Sequence, residues 1–271
     1  MLSNLLLILG VATLSMALRS FNSAVLQKLG ALGVFATSFL IGYLLSGYVF
    51  VGLICASSWL LLPWLEILTR VRRLRLPADR SLRRKTPPSH EAFPALQDLT
   101  EEIEAEGFTH AEDAGWDFEE YQQFYRLFYK ASERTLASIC MVDQHDIAFY
   151  YLSITSRAKD GTIWTTWNYP FSYNLKLAPK LRVNRLRSDQ TFLQIHESHR
   201  EFLRVNHVSP EQLAELDPDQ IHVGIQDDLR AQIAHNLTSG LLKRTAEGQI
   251  QYSWRGLLFI WLQSLRDIVR L

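Results

Sequence analysis

Two histidines one turn apart, His196 and His199 in the run HESH, come nearest to a catalytic or metal-binding pattern. A separation of three on a helix puts both imidazoles on one face. The zinc-protease pattern is H-E-x-x-H, and this run is one residue short of it. His199 also falls on an apolar stripe with Phe192, Ile195 and Phe202, so a hydrogen-bonded core histidine is the better reading. No Cys, Asp or further His stands at ligand spacing beside the pair, and the sequence implies neither a metal nor a cofactor. Nucleophile and nucleotide chemistry have no better support: there is no G-x-S-x-G, no phosphate-binding glycine loop and no dinucleotide fingerprint. Asp143, His145 and Asp146 cluster in what reads as a turn, where such side chains serve geometry. The two cysteines, Cys55 and Cys140, make no disulfide or metal framework and read as small apolar fillers. No catalytic residue is assigned.

The stronger candidate set is cationic. Arg70, Arg72, Arg73, Arg75, Arg80, Arg83, Arg84 and Lys85 form a collar with one acid, Asp79, and a local charge of +7. A second basic group, Lys176, Lys180, Arg182, Arg185 and Arg187, ends a stretch with no acid between Gly161 and Ser188. Trp164, Trp167, Tyr169, Phe171 and Tyr173 precede it. Basic and aromatic residues together meet the loose description of a nucleic-acid surface. Beyond Lys85, however, 18 basic residues face 26 acidic ones, a net of −8 under an overall charge of zero, which argues against general nucleic-acid affinity. An anionic lipid surface suits the same residues, each charge near it contributing about 1 kcal/mol. A purely topogenic role for the collar fits equally well.

Lipid enters because of what precedes the collar. Gly30 to Leu65 is a run of 36 residues without one charged side chain. As one helix it would reach roughly 54 Å against a hydrocarbon core of about 30 Å. A single span would need a tilt of roughly 55°, beyond the usual limit of about 40°. Ser46-Gly47, near its middle, is the expected break, with Pro63 a second kink site. A further apolar run, Leu5 to Leu18, opens the sequence. Ser15-Met16-Ala17 resembles a signal cleavage site, but no Lys or Arg precedes the run, and a retained span is favoured. Two spans or three satisfy length alone. Three put Arg19 and Lys28 on the collar's side and agree with the positive-inside rule; two would translocate them.

The remaining chain divides into a basic juxtamembrane linker over 70–92, expected to be extended or partly ordered, and a soluble domain over 93–271. Pro94 opens a helix that Gly107 stops, its acids Glu101, Glu102, Glu104 and Glu106 forming a solvated face. Phe108 to Asp117 reads as a strand entering a loop; in Glu119 to Ser132, Tyr121, Phe124, Tyr125 and Phe128 fit a helical stripe while the aromatic richness fits a strand, and the strand is favoured. Thr135 to Val142, Ile147 to Thr155 and Thr162 to Trp167 read as antiparallel hairpins. Helices follow from a Ser188 cap, from Ser209-Pro210-Glu211-Gln212 and from Asp227 or Asp228, then a short strand over Gln249 to Trp254. Arg255 to Leu271, too short to span, is either buried in the domain or lies in the membrane interface, with burial slightly favoured.

The chain therefore reads as α+β: N-terminal transmembrane helices over 1–69, then a cytoplasmic domain built on an antiparallel β-meander flanked by helices. Its layout resembles that of bacterial inner-membrane proteins with an amino-terminal anchor and a cytoplasmic domain. No motif carries that resemblance, and it transfers no activity. The expected role is non-enzymatic, with the domain binding a membrane or cytoplasmic partner protein or the anionic bilayer. The alternative is a membrane-bound enzyme acting on a lipid or envelope metabolite. Fusions made after Lys85 test the orientation: a reporter that folds only in the cytoplasm should be active, and one that requires export should be silent.

Overall fold

One glycine divides the 36-residue apolar stretch. In the computed structural model, which describes residues 2–21, 23–144, 147–171 and 173–270, Gly47 takes φ 77° and its N–H returns to the Tyr43 carbonyl. Only a residue without Cβ enters that left-handed region at little cost, so the helix ends here. Three helices result, α1 (Leu2–Ser20), α2 (Ala24–Ser46) and α3 (Val49–Thr69), each long and apolar enough to cross a membrane. Helix α2 begins earlier than the charge-free run does, so Lys28 lies in its first turns rather than in a loop. Between α1 and α2 the buried Ser15 hydroxyl donates to the Gly30 carbonyl at 2.5 Å.

The collar is extended but not loose. After a 3₁₀ turn at Val71–Arg73, strand β1 (Leu76–Pro77) and strand β2 (Arg83–Arg84) enter two different sheets. Asp79, the collar's acid, receives both Nε and Nη2 of Arg230, and the Leu82 N–H donates to the Gln226 side chain. Helix α4 (Leu96–Ala105) follows, closed by Gly107 at φ 81°.

Strands β3 (Thr109–Phe118), β4 (Tyr121–Lys130), β5 (Thr135–Gln144), β6 (Ile147–Arg157) and β7 (Ile163–Trp167) pair in sequence order, each antiparallel to the last. The segment from Phe108 is thus a full strand rather than a strand entering a loop. His145 and Asp146, which the sequence reads as part of a turn, lie outside the described residues. Strand β2 adds to β3, while β8 (Leu181–Arg185) adds to β7 in parallel and completes a seven-stranded sheet.

Alternation along the strands gives that sheet two apolar faces. Phe124, Phe128, Ile139, Leu152 and Ile154 pack against Ile103 of α4 and against Phe192 and Ile195 of helix α5 (Phe192–Val205). On the other face Trp116, Tyr125, Leu127, Cys140 and Val142 meet Leu82 and helix α6 (Ile221–Thr238). Two expected helix starts are corrected. Thr191 caps α5, not Ser188, with Gln194 as the reciprocal partner of a capping box. The helix expected from Asp227 or Asp228 begins earlier, at Ile221, after a 3₁₀ turn led by Asp217. The Ser209 signature forms a single 3₁₀ turn, Pro210–Gln212, in which the Gln212 side chain accepts from the Ser209 N–H. Glu102 is not merely solvated: its half-buried carboxylate accepts the Phe192 N–H at 2.7 Å, at the start of α5.

The chain closes with β9 (Leu242–Arg244), β10 (Gln249–Tyr252) and helix α7 (Trp254–Arg270). Strand β10 pairs with β9 on one side and with β1 on the other, so the segment just past α3 and the segment just before α7 share one small sheet. Gly256 lets α7 start against β9, because a Cβ there would stand 2.1 Å from the Leu241 carbonyl oxygen. Gly256→Ala should displace that backbone and destabilise the domain by about 1–3 kcal/mol, measurable as a lowered thermal midpoint of the full chain.

Candidate membrane interface

Helix α7 packs on the apolar helices. Leu257 and Ile260 are buried against Ile67 of α3, with Trp64, Leu68 and Val71 around them. The Trp261 ring meets Trp64 edge-on at 5.8 Å, and its indole N–H donates to the Leu60 carbonyl at 2.9 Å. One end of α7 lies by the collar, where the Arg72 guanidinium sits 4.7 Å over the Trp254 ring. The sequence left α7 between burial in the domain and a place at the interface. Its inner stripe is buried, but much of what buries it belongs to α3.

The outer stripe is open. Trp254, Leu258 and Leu262, at i, i+4 and i+8, are 61%, 46% and 45% exposed. Spaced in this way they form one face, beside the stripe that packs on α3, and the exposed Arg255 and Arg266 flank it on its other side. Seventeen residues give about 25 Å of helix, enough to lie along a surface.

The thirteen basic candidates separate by environment. Arg70, Arg73, Arg83 and Arg84 are exposed, and among the described residues their side chains have no carboxylate or hydrogen-bond partner. Arg72 lies on Trp254, Arg75 donates to the Arg72 and Leu74 carbonyls, and Lys85 pairs with Asp117. Arg80 turns inward over the Trp116 ring at 5.0 Å.

The second basic group is tied locally. Lys180 donates to the Asp160 carbonyl, Arg182 to that of Pro179 and Arg185 to that of Pro170, while Arg187 pairs with Asp189 at 3.4 Å. The Lys176 backbone is held from both sides by the Asn236 side chain. Strands β2 and β8 are the two edges of the seven-stranded sheet, roughly 29 Å apart across six strand spacings. Arg83 and Arg84 therefore stand at one edge and Arg182 and Arg185 at the other. The fold does not merge the two groups into one patch.

The histidine pair is structural in its contacts. His199 is 1% exposed, with Nε2 beside the Ser156 hydroxyl at 3.1 Å and Nδ1 beside that of Thr166 at 3.0 Å. Burial, with a smaller contribution from neighbouring His196, lowers its pKa to about 3. His196 is also buried, its two nitrogens at 3.2 Å from Glu106 and 2.8 Å from Glu133. Every ring nitrogen of the pair is occupied by a protein group, and the described residues hold no cluster of three metal-ligating side chains. Cys140 is buried and accepts from Gln123 at 3.1 Å, and burial pushes its thiol up to about 11, so it is no nucleophile at neutral pH.

Comparison with protein families, with characterised proteins and with solved structures finds no match. Residues and geometry are the whole basis for a functional reading. The signal for α7 was present in the sequence as the Trp254, Leu258, Leu262 spacing. Its seat on α3 was not, because packing between segments so far apart leaves no local pattern.

A pH dependence follows from His199. In the folded chain the ring stays neutral to about pH 3, whereas in the unfolded chain it takes a proton near pH 6.5. Below pH 6.5 the unfolded state binds more protons, so this contribution to stability falls as pH falls, by about 2 kcal/mol at pH 5. Denaturation of wild type and His199→Asn at pH 7 and pH 5 should show the larger acid loss in wild type.

Proposed function

We propose that the chain is an integral protein of a bacterial inner membrane whose C-terminal domain lies on the cytoplasmic side, held flat against the anionic leaflet as an interaction scaffold. The observation that carries this reading is the exposed stripe of Trp254, Leu258 and Leu262 on a helix whose other apolar stripe packs on α3. An open apolar stripe continuous with a helix apolar enough to span extends the surface that lipid would cover. Tryptophan and flanking arginine are the residues favoured where acyl chains meet headgroups.

Charge supports the same orientation. Arg70, Arg73, Arg83 and Arg84 follow α3 directly and have no protein partner among the described residues, leaving them free to meet anionic headgroups. Arg19 ends α1 and Lys28 lies near the start of α2, at the same end of the three-helix hairpin as the collar. Positive charge gathered at one end of a set of spans marks the cytoplasmic side.

A nitroxide at Leu258→Cys, on full-length chain with Cys55→Ala in bilayer nanodiscs, tests this reading. Collision with oxygen should exceed collision with a water-soluble nickel chelate, and the order should reverse for a label at Glu201→Cys, exposed on α5. A label at 258 relaxed mainly by the chelate would remove the lipid-facing role of α7.

A further inference from the structure

Strand β8 joins the large sheet by parallel pairing with β7 and has no neighbour on its other side. The Ile163 N–H donates to the Lys180 carbonyl and the Leu186 N–H to that of Trp167. With that register the ladder to β7 uses the backbone of Lys180, Arg182, Asn184 and Leu186, and Leu181 and Val183 turn theirs the other way. The Leu181 N–H returns to the Ala178 carbonyl. Among the described residues the Leu181 carbonyl and both backbone groups of Val183 have no partner. Pairing along β8 runs without a bulge or a proline, devices that commonly close an edge. The opposite edge, β2, is only two residues long.

Charge guards this edge instead. Lys180 and Arg182 are exposed on it, with Arg187 just beyond. The Lys180 and Arg182 side chains donate to the backbone carbonyls of Asp160 and Pro179, and neither forms an ion pair among the described residues. Two copies meeting edge to edge would bring these cations together, and like charges on paired strands repel. A strand bearing carboxylates would meet them as counterions. The same side chains therefore turn away a second copy and admit a chain of opposite sign. Lipid headgroups and nucleic acid answer the charge alone. Only a peptide also offers a C=O and an N–H at the spacing of the outward groups of Leu181 and Val183.

We infer that β8 is a docking edge for an extended, acidic segment of a partner protein, which adds a further strand to the sheet. Its backbone pairs with Leu181 and Val183, and its carboxylates, at alternate positions, meet Lys180 and Arg182. This deepens the scaffold reading above and rests on it: the edge facing away from β2 and the collar is where the scaffold takes its partner.

Fluorescence anisotropy with the full-length chain in phosphatidylcholine nanodiscs tests the edge, the probe being a labelled peptide of alternating Glu and Val. Wild type should bind it several-fold more tightly than a peptide of alternating Lys and Val. It should also prefer it several-fold over the same Glu-Val peptide with every backbone amide N-methylated, which keeps the charge and cannot complete a ladder. Val183→Pro removes an outward N–H and leaves the bonds to β7 in place. It should weaken binding several-fold, as should Lys180→Gln with Arg182→Gln, whereas Arg83→Gln with Arg84→Gln should not. An N-methylated peptide bound as tightly as its parent would overturn the edge in favour of a diffuse cationic surface. Equal binding of the Glu-Val and Lys-Val peptides would overturn the inference outright. A wild type that is dimeric and becomes monomeric in Val183→Pro would assign the edge to a second copy, with the same result. Trp emission checks the folding of each variant, and the N-methylated control uses unaltered protein, so a misfolded Val183→Pro leaves the test decisive. The nitroxide at position 258 reports on α7 independently, so an oxygen-accessible label without a peptide preference defeats the docking edge alone.

Discussion

The packing of Leu257 and Ile260 on Ile67 joins the end of the chain to its apolar beginning, and the placement of the domain depends on it. Beside it, Trp261 donates its indole N–H to a backbone carbonyl of α3 at Leu60. Helix α3 is weakened at this level: Pro63 has no N–H to return to the carbonyl four residues back. The contact gives the half-buried Trp261 indole an acceptor and ties α7 to a turn whose own ladder is incomplete. Remove the apolar contact and the collar would be a tether; with it, the collar is a braced joint.

That joint has a second strut. Strands β1 and β10 bring the residues just past α3 and just before α7 into one sheet, and Arg230 clasps Asp79 from α6. Exposed ion pairs such as this one contribute little alone. Here the pair fixes a path already set by backbone pairing at Leu76 and Arg83. The consequence for electrostatics is a sorting of the collar: its outer arginines remain available to solvent or lipid, while Arg80 is turned inward over Trp116.

Much of the helical part was legible because its signals are local. A charge-free run too long for one span, broken at a glycine able to take positive φ, together with the charge bias that favours three spans over two, leads to α2 and α3. Alternating apolar residues gave β4 to β7, with aromatic Tyr121 to Lys130 resolving as a strand. Strands β1 and β2 escaped because two residues have no periodicity; only partners distant in sequence, Ile250 and Gly115, make them strands. The start of α6 was misplaced for a related reason. Asp227 and Asp228 look like caps, but Asp228 lies within the helix and binds Arg157, while the true entry uses Asp217. The candidate interface was legible as charge and as an apolar terminal segment with basic ends, not as a docked pair. His199 was legible as a core histidine from its stripe, though Ser156 and Thr166, its partners, lie on strands whose register no local pattern announces.

The small sheet has a consequence for biosynthesis. Its outer strand, Leu76–Pro77, leaves the ribosome long before β10 and α7 exist, so the most non-local pairing in the domain forms last. Until then Ile67 and Trp64 lack the cover that α7 gives them in the finished fold. Maturation thus resembles fastening a clasp after the anchor is laid: premature termination just before Gln249 would leave the three apolar helices carrying an unlatched globule with its grease uncovered.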